Sequence, residues 1–272
     1  MDFFAIEGLL SGFAVLGSLG LASGLKKVVN GISNRFETVL AEEPDRYIST
    51  HGEIFHLRRG GGTLEFIKDP FVPTDRRFNE FMASSDGRRF IEHQKHFLAR
   101  YHLGDSVRIL YGGGAEQIIR LKTGHIVIIP HGSPHAFSQL HELGHCLPRG
   151  YFKISDDVRN FFHRQGKIRL MGAMGVFSLA NVYYCRIDAA TDASSPWLLG
   201  SLLTLVYSPI LYEEIRASSF ALLHLARLGT GKELLLASLT ALVSLTSYLT
   251  PGLTVVAAGY FGEALSANSR GA

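Results

Sequence analysis

Long apolar stretches near both ends of the chain enclose a mixed, charge-bearing middle. From Phe3 to Leu25 the run FFAIEGLLSGFAVLGSLGLASGL is interrupted only by Glu7, and it has about the 20 residues that cross a hydrocarbon core. Its Gly and Ser content suits close helix packing in lipid. It exceeds a signal-peptide apolar core, with no basic region in front and no clear small-x-small site behind, so a span is expected. Ile168–Cys185 and Pro196–Tyr212 are shorter apolar runs separated by a polar elbow with Arg186, Asp188 and Asp192. They predict a helical hairpin of spans. Leu234–Phe261 carries no charge and holds Pro251 and Gly252, which permit a kink that neighbouring helices support. The pattern predicts an α-helical integral membrane protein of about four spans.

Between the first two apolar runs the period changes. Thr74 heads TDRRFNEFMASS, and DGRRFIEHQKHFLARYHLG follows with Phe90, Phe97, Leu98 and Tyr101 at helical spacing and a closing Gly104, which predicts two amphipathic helices. Ile54–Leu57 and Leu64–Ile67 flank Arg58-Arg59-Gly60-Gly61-Gly62 and predict a hairpin. Val107–Tyr111, Gln117–Leu121 and Ile126–Ile129 are short β-prone runs divided by Gly112-Gly113-Gly114 and Lys122-Thr123-Gly124, which predicts a small sheet. The triple glycines have neither the Lys-Ser/Thr of a phosphate loop nor the spacing of a dinucleotide site, so they are turns.

Composition agrees with a mixed membrane chain. The 272 residues are 46% hydrophobic and 19% charged, with a mean hydropathy of +0.15. Apolar content excludes disorder, and two cysteines in a chain of this length exclude a disulfide-stapled scaffold. A formal net charge of +3 with dispersed basic residues speaks against nucleic acid as a partner. Of the 27 Lys and Arg, six lie outside Lys26–Lys167, namely Arg169, Arg186, Arg216, Arg227, Lys232 and Arg270. The positive-inside rule therefore puts 26–167 and 213–233 together on the cytosolic, or equivalent organellar, inner side. The expected organisation is an N-terminal span over 1–25, an inner domain over 26–167, a transmembrane hairpin over 168–212, an inner-side helix over 213–233, and a last span with a short tail over 234–272.

The chemistry begins at Ser133, a natural N-cap before Pro134; AFSQLHELGHCL continues at helical spacing and Pro148 stops it. A helix over 134–147 carries His141, Glu142 and His145 in a His-Glu-x-x-His arrangement. Residues four apart share a helix face, so both imidazoles can reach one tetrahedral zinc at about 2.0–2.1 Å while Glu142 takes the proton of the zinc-activated water. A catalytic zinc needs a third protein ligand, and Glu213 and Glu214 offer carboxylates at the inner end of the third span. Tyr212 and His224 are candidate oxyanion donors and His125 a candidate substrate contact. His131 and His135 are also four apart, but Pro134 and a helix start separate them from a shared face. Cys146 reads as a small buried thiol.

These residues resemble a family. Gly124-His125-Ile126-Val127-Ile128, then His141-Glu142-Leu143-Gly144-His145, two spans, and Glu214-x-x-Ala217-Ser218 with Ala221-Leu222 resemble the YugP-type membrane zinc metallopeptidases. The chain is more distantly similar to HtpX-type and CAAX-prenyl-protease-type membrane gluzincins. The resemblance is weak over the first span and covers about 120–225 well. It implies a zincin-like α+β domain, Zn2+ held by His141, His145 and Glu214, and Glu142 as general base. It further implies that Gly124–Pro130 is the edge strand on which an extended peptide is laid. The Ala217-Ser218 offset selects Glu214 over Glu213. The expected activity is hydrolysis of a peptide or membrane-protein substrate at or near the surface of the lipid bilayer. A site-2-type intramembrane protease would instead place its motif in a long apolar span and take a later Asp, and Asp188 falls on the other side of the membrane. The segment between the first span and the sheet is longer and richer in Arg and aromatics than the family implies. Residues 35–101 would thus suit a partner in a membrane complex, and a non-catalytic, peptidase-like subunit is the competing role.

Overall fold

The computed structural model describes residues 6, 9–17, 20, 24, 46–60, 63–70, 76–112, 117–121, 124–129, 136–147, 165–188 and 196–270. The chain divides into two compact units. One comprises Met1–Lys27, Gly150–Glu213 and Thr240–Ala272, the other Val28–Arg149 and Glu214–Leu239.

The second unit is built on a six-stranded mixed sheet. Its strands are β1 (Arg46–Ser49), β2 (Ile54–Gly60), β3 (Thr63–Lys68), β4 (Val107–Gly112), β5 (Gln117–Leu121) and β6 (Gly124–Ile129), in the spatial order β3-β2-β1-β4-β6-β5. The β2–β3 hairpin closes at Gly60↔Thr63. β4 and β6 run parallel, because β5 folds back on the far side of β6. Strand β1 was not foreseen; its four residues are too few to show a period. Yet it is central, with Ile48 and Tyr47 both buried. Gly124–Ile129 is likewise not an edge as the resemblance implied: β6 lies between β4 and β5, and Pro130 lies outside the described residues. Among the described residues the sheet edges are β3 and β5.

Alternation sorts the two faces of this sheet. Tyr47 and Leu110 pack with Phe55 and Phe66 on one face. Tyr111 is on the other, against Phe78 and Phe90 of helices α1 (Arg76–Ala83) and α2 (Ser85–Arg100). Ser84 caps α2, its hydroxyl accepting from the Gly87 amide at 3.1 Å. The chain turns out of this helix at His102, which takes a left-handed φ of 54°, and not at the expected Gly104. Helix α3 (Ala136–Cys146) packs on α2, β5 and β6; Ser133 and Pro134, its expected start, lie outside the described residues.

The first unit is helical. Residues 9–17 are helical, followed by α4 (Gln165–Asp188), the N-terminal part of α5 (Pro196–Leu228) and most of α6 (Gly231–Arg270). Residues 213–233 are covered by the C-terminal part of α5, to Leu228, and the start of α6, with a break at Gly229 and Thr230. Leu203, Ile210 and Val255 form a buried cluster flanked by Met174, Leu199 and Tyr248. A Cβ on Gly200 would meet the Gly252 carbonyl oxygen at 2.7 Å, and one on Gly262 the Leu179 carbonyl oxygen at 2.5 Å, so glycine is what lets these helices touch. Among the described residues no single helix is long and apolar enough to cross a membrane. Two bent pairs, Trp197–Val206 with Ile210–Leu228 and Gly231–Thr246 with Tyr248–Ala267, meet that measure together.

Candidate metal centre

The candidate centre lies within the second unit, where α3 meets the part of α5 that begins at Glu214. One helical turn aligns His141 with His145, and their Nε2 atoms stand 3.2 Å apart. Glu214 reaches both, with Oε2 at 3.1 Å from His141 Nε2 and Oε1 at 3.5 Å from His145 Nε2. All three side chains are largely buried, with exposures of 13% for His141, 5% for His145 and 12% for Glu214. Burial pushes the Glu214 carboxyl up, but hydrogen bonds and charge from the two histidines outweigh it and hold it well below the usual carboxylate range. Glu214 is therefore an anion facing two imidazoles.

Two contacts explain how the helices come close enough. A Cβ on Gly144 would stand 2.9 Å from both Cα and the carbonyl oxygen of Ala217, so the third motif-interior residue must be small for α5 to lie against α3. Ser218, one residue on, places Oγ 3.1 Å from His141 Nδ1. Such an outer contact orients a ligating histidine. Arg216 donates from Nη2 to the Leu147 carbonyl at 3.5 Å, just past the end of α3. Gln139 donates from Nε2 to the Phe90 carbonyl at 2.8 Å and ties α3 to α2.

The donor set fits a metal ion. One ligand atom from each of the three side chains lies within 4.8 Å of the other two, close enough for one ion to touch all three. His141, His145 and Glu214 thus form a buried group able to hold a metal ion. Glu142, between the histidines in the chain, is buried too. Glu214 and not its neighbour Glu213 joins the cluster among the described residues. Glu213 is buried elsewhere on the helix, as expected of adjacent residues about 100° apart.

None of the remaining candidates belongs to this group among the described residues. His224 is ten residues beyond Glu214, about 15 Å along the helix. Its Nε2 faces His93 Nδ1 at 3.4 Å and its ring packs on Phe97, so it is not the expected oxyanion donor. Tyr212 precedes Glu214 by two residues, about 200° around α5, and is exposed. His125 lies in β6, in register with Val107 and Arg120. His131 and His135 lie outside the described residues. Cys146 and Cys185 are free thiols, and burial, then the charge of Glu142, pushes the Cys146 thiol up to about 12, which keeps it unreactive.

Sequence reasoning missed the hydrogen-bonding role of Ser218 and a second polar group around His224. There Glu233 accepts from Arg89 Nε at 2.8 Å and stands 3.5 Å from His93 Nε2. No motif links residues so distant in the chain; two histidines on α2, His93 and His96, were the available hint. No family model matches this chain, and neither a curated protein nor a solved structure does so.

Proposed function

We propose that this chain is a membrane-embedded zinc metallopeptidase, similar to the YugP type, that hydrolyses a peptide or membrane-protein substrate at or near the membrane surface. The observation that carries this reading is the buried His141–His145–Glu214 group, its ligand atoms all within 4.8 Å of one another, with Glu142 next to His141 in α3. Two imidazoles and one carboxylate are a donor set that suits zinc and leaves a fourth position open. When bound, zinc supplies Lewis-acid polarisation of the scissile carbonyl and acidifies water toward a pKa of about 7. Glu142 is outside the ligand set and would act as the general base, accepting the proton of the attacking water and returning it to the leaving amine. Ser218 orients the His141 ring. An extended substrate would find backbone partners on β5, an edge strand among the described residues and one that packs on α3. The charge-free stretches 170–185, 196–212 and 234–262 support membrane insertion, and the Lys and Arg bias supports an inner-side active site.

The deciding experiment pairs metal analysis of the detergent-solubilised chain with hydrolysis of an unfolded protein substrate. About one zinc per chain, lost in His141→Ala, is expected. Glu142→Gln is expected to keep the metal and to lower hydrolysis by at least about 10²-fold. Normal turnover in Glu142→Gln would sink the mechanism, and a folded, metal-free wild type would favour the role of a non-catalytic subunit.

A further inference from the structure

Ten residues after Glu214, α5 makes a second polar contact, with α2 and not with α3. His224 and His93 are both buried, and Nε2 of the first stands 3.4 Å from Nδ1 of the second. The Nδ1 of His224 has no hydrogen-bond partner among the described residues, so the contact with His93 is the ring's one polar anchor there. His93 is held from its other side: Nε2 lies 3.5 Å from Glu233 Oε1, which accepts from Arg89 Nε at 2.8 Å. Glu233 in turn is fixed by the turn that opens α6, its Oε2 accepting from the Thr230 amide at 2.7 Å and from the Thr230 hydroxyl at 2.9 Å. Aromatic groups surround this chain of contacts, with Phe97 against the His224 ring and Tyr101 against Phe220.

Apolar rings alone let two helices slide, whereas a buried polar pair resists it, because a shift leaves each imidazole desolvated without a partner. One turn of slip is about 5.4 Å, and a ligand must be held within about 0.5 Å of its productive place. Helix α2 also fixes α3, since Gln139 of α3 donates to the Phe90 carbonyl at 2.8 Å, three residues before His93. One helix thus carries the reference point for the two motif histidines and that for Glu214. We infer that the His93–His224 pair is a register lock between α2 and α5, and that His93 and His224 are positioning residues which hold Glu214 level with His141 and His145. Neither belongs to the metal group; they act through the unbroken helical stretch from Glu214 to His224. The Gly144–Ala217 contact sets how near α5 lies to α3, and the pair sets its place along the axis. This inference rests on the metal centre of the function proposed above, and not on peptide hydrolysis or on the membrane.

The probe is Co2+, whose visible absorption reads ligand geometry as well as occupancy, titrated into the metal-free, detergent-solubilised full chain. The wild type is expected to bind about one ion. His224→Phe keeps an aromatic ring against Phe97 but loses the polar atom. It should weaken Co2+ binding by at least about tenfold and change the visible spectrum, with the far-ultraviolet circular dichroism retained. His224→Gln places an amide near the former Nε2 and should restore both affinity and spectrum, which a role confined to ring packing would not do. His93 supplies an independent pair of variants. His93→Asn keeps a polar atom near Nδ1, facing His224, and should bind Co2+ as the wild type does; His93→Gln keeps the one near Nε2, facing Glu233, and should bind it weakly. Equal affinity in these two would overturn the lock even where His224→Phe does not fold. A folded His224→Phe with wild-type affinity and spectrum would overturn it as well, and so would failure of His224→Gln to rescue. In each of these cases the wild type still takes up the ion and the metal reading stands. A folded wild type that binds no Co2+ would instead overturn that reading and this inference with it.

Discussion

At the scale of single residues, the three ligand candidates were legible because helical spacing and a downstream carboxylate are local facts. His141 and His145 needed only an i, i+4 offset. The choice between Glu213 and Glu214 needed the family offset to Ala217-Ser218, and the structure brings Glu214 to the histidines. Ser218 shows the limit of such reading. It entered only as part of the Ala217-Ser218 offset, and its contact with His141 Nδ1 depends on a rotamer that sequence does not display. The paired glutamates make a sharp prediction. Glu214→Ala removes a donor that stands within 3.5 Å of both imidazoles. It should weaken zinc binding by more than the roughly 10–100-fold that loss of an outer hydrogen-bond partner costs. Glu213→Ala should leave the affinity nearly unchanged. Zinc titration of both variants checks this, and the reverse order would transfer the ligand to Glu213.

At the scale of elements, strong periods were readable and isolated or short ones were not. The two amphipathic helices, the β2–β3 hairpin and the strand-rich stretch after Val107 follow from alternation and glycine turns. The parallel pairing of β4 with β6 does not, since it depends on which side of β6 the β5 strand folds to, and the edge strand was misplaced for that reason. The approach of α3 to α5 is an element-scale property carried by one atom's absence. Gly144→Ala puts a Cβ 2.9 Å from the Ala217 backbone, which cannot yield as a side-chain tip would. The helices must part, at a cost of about 1–3 kcal/mol. Zinc affinity should fall while the far-ultraviolet circular dichroism of the chain is retained; unchanged affinity would mean that the close approach is not needed.

The polar group joining α2, α5 and α6 carries a pH dependence of its own. Burial, then the charges of His93, His96 and Arg100, brings His224 down to about 4 from an ordinary 6.5. Burial also lowers His93, with Glu233 opposing and Arg89 reinforcing the shift. Burial raises Glu233, but bonds from Arg89 and Thr230 outweigh it and bring it down to about 2. Between pH 6.5 and about 4 the unfolded chain binds more protons at His224 than the folded one does. Stability is therefore full above pH 6.5 and is lost as pH falls toward 4, by on the order of 1–3 kcal/mol. Glu233 adds a loss below its ordinary 4.5. Denaturation midpoints in detergent should decline across the first window, and His224→Phe should flatten that decline; parallel curves for the two proteins would refute the assignment.

At the scale of the whole molecule, the informative quantity is the distribution of charge. Apolar runs and basic residues alternate so that Lys26–Lys167 and Arg216–Lys232 share one sign of flank, the bias that would set the orientation under the membrane insertion proposed above. Glu214 follows the third apolar run and the histidines precede the second. A metal group drawn from both therefore requires that an even number of crossings separate them. In a chain with Cys185 replaced by Ser and Cys146 buried, single cysteines at Arg59 and Arg227 should be labelled by an impermeant maleimide from the same side of sealed vesicles. A cysteine at Ser194, in the elbow between the second and third runs, should be labelled from the other. Arg59→Cys and Arg227→Cys reacting from opposite sides would put Glu214 across the bilayer from His141 and His145. The donors could then not share an ion in the membrane-inserted protein, and the peptidase reading would lose its centre.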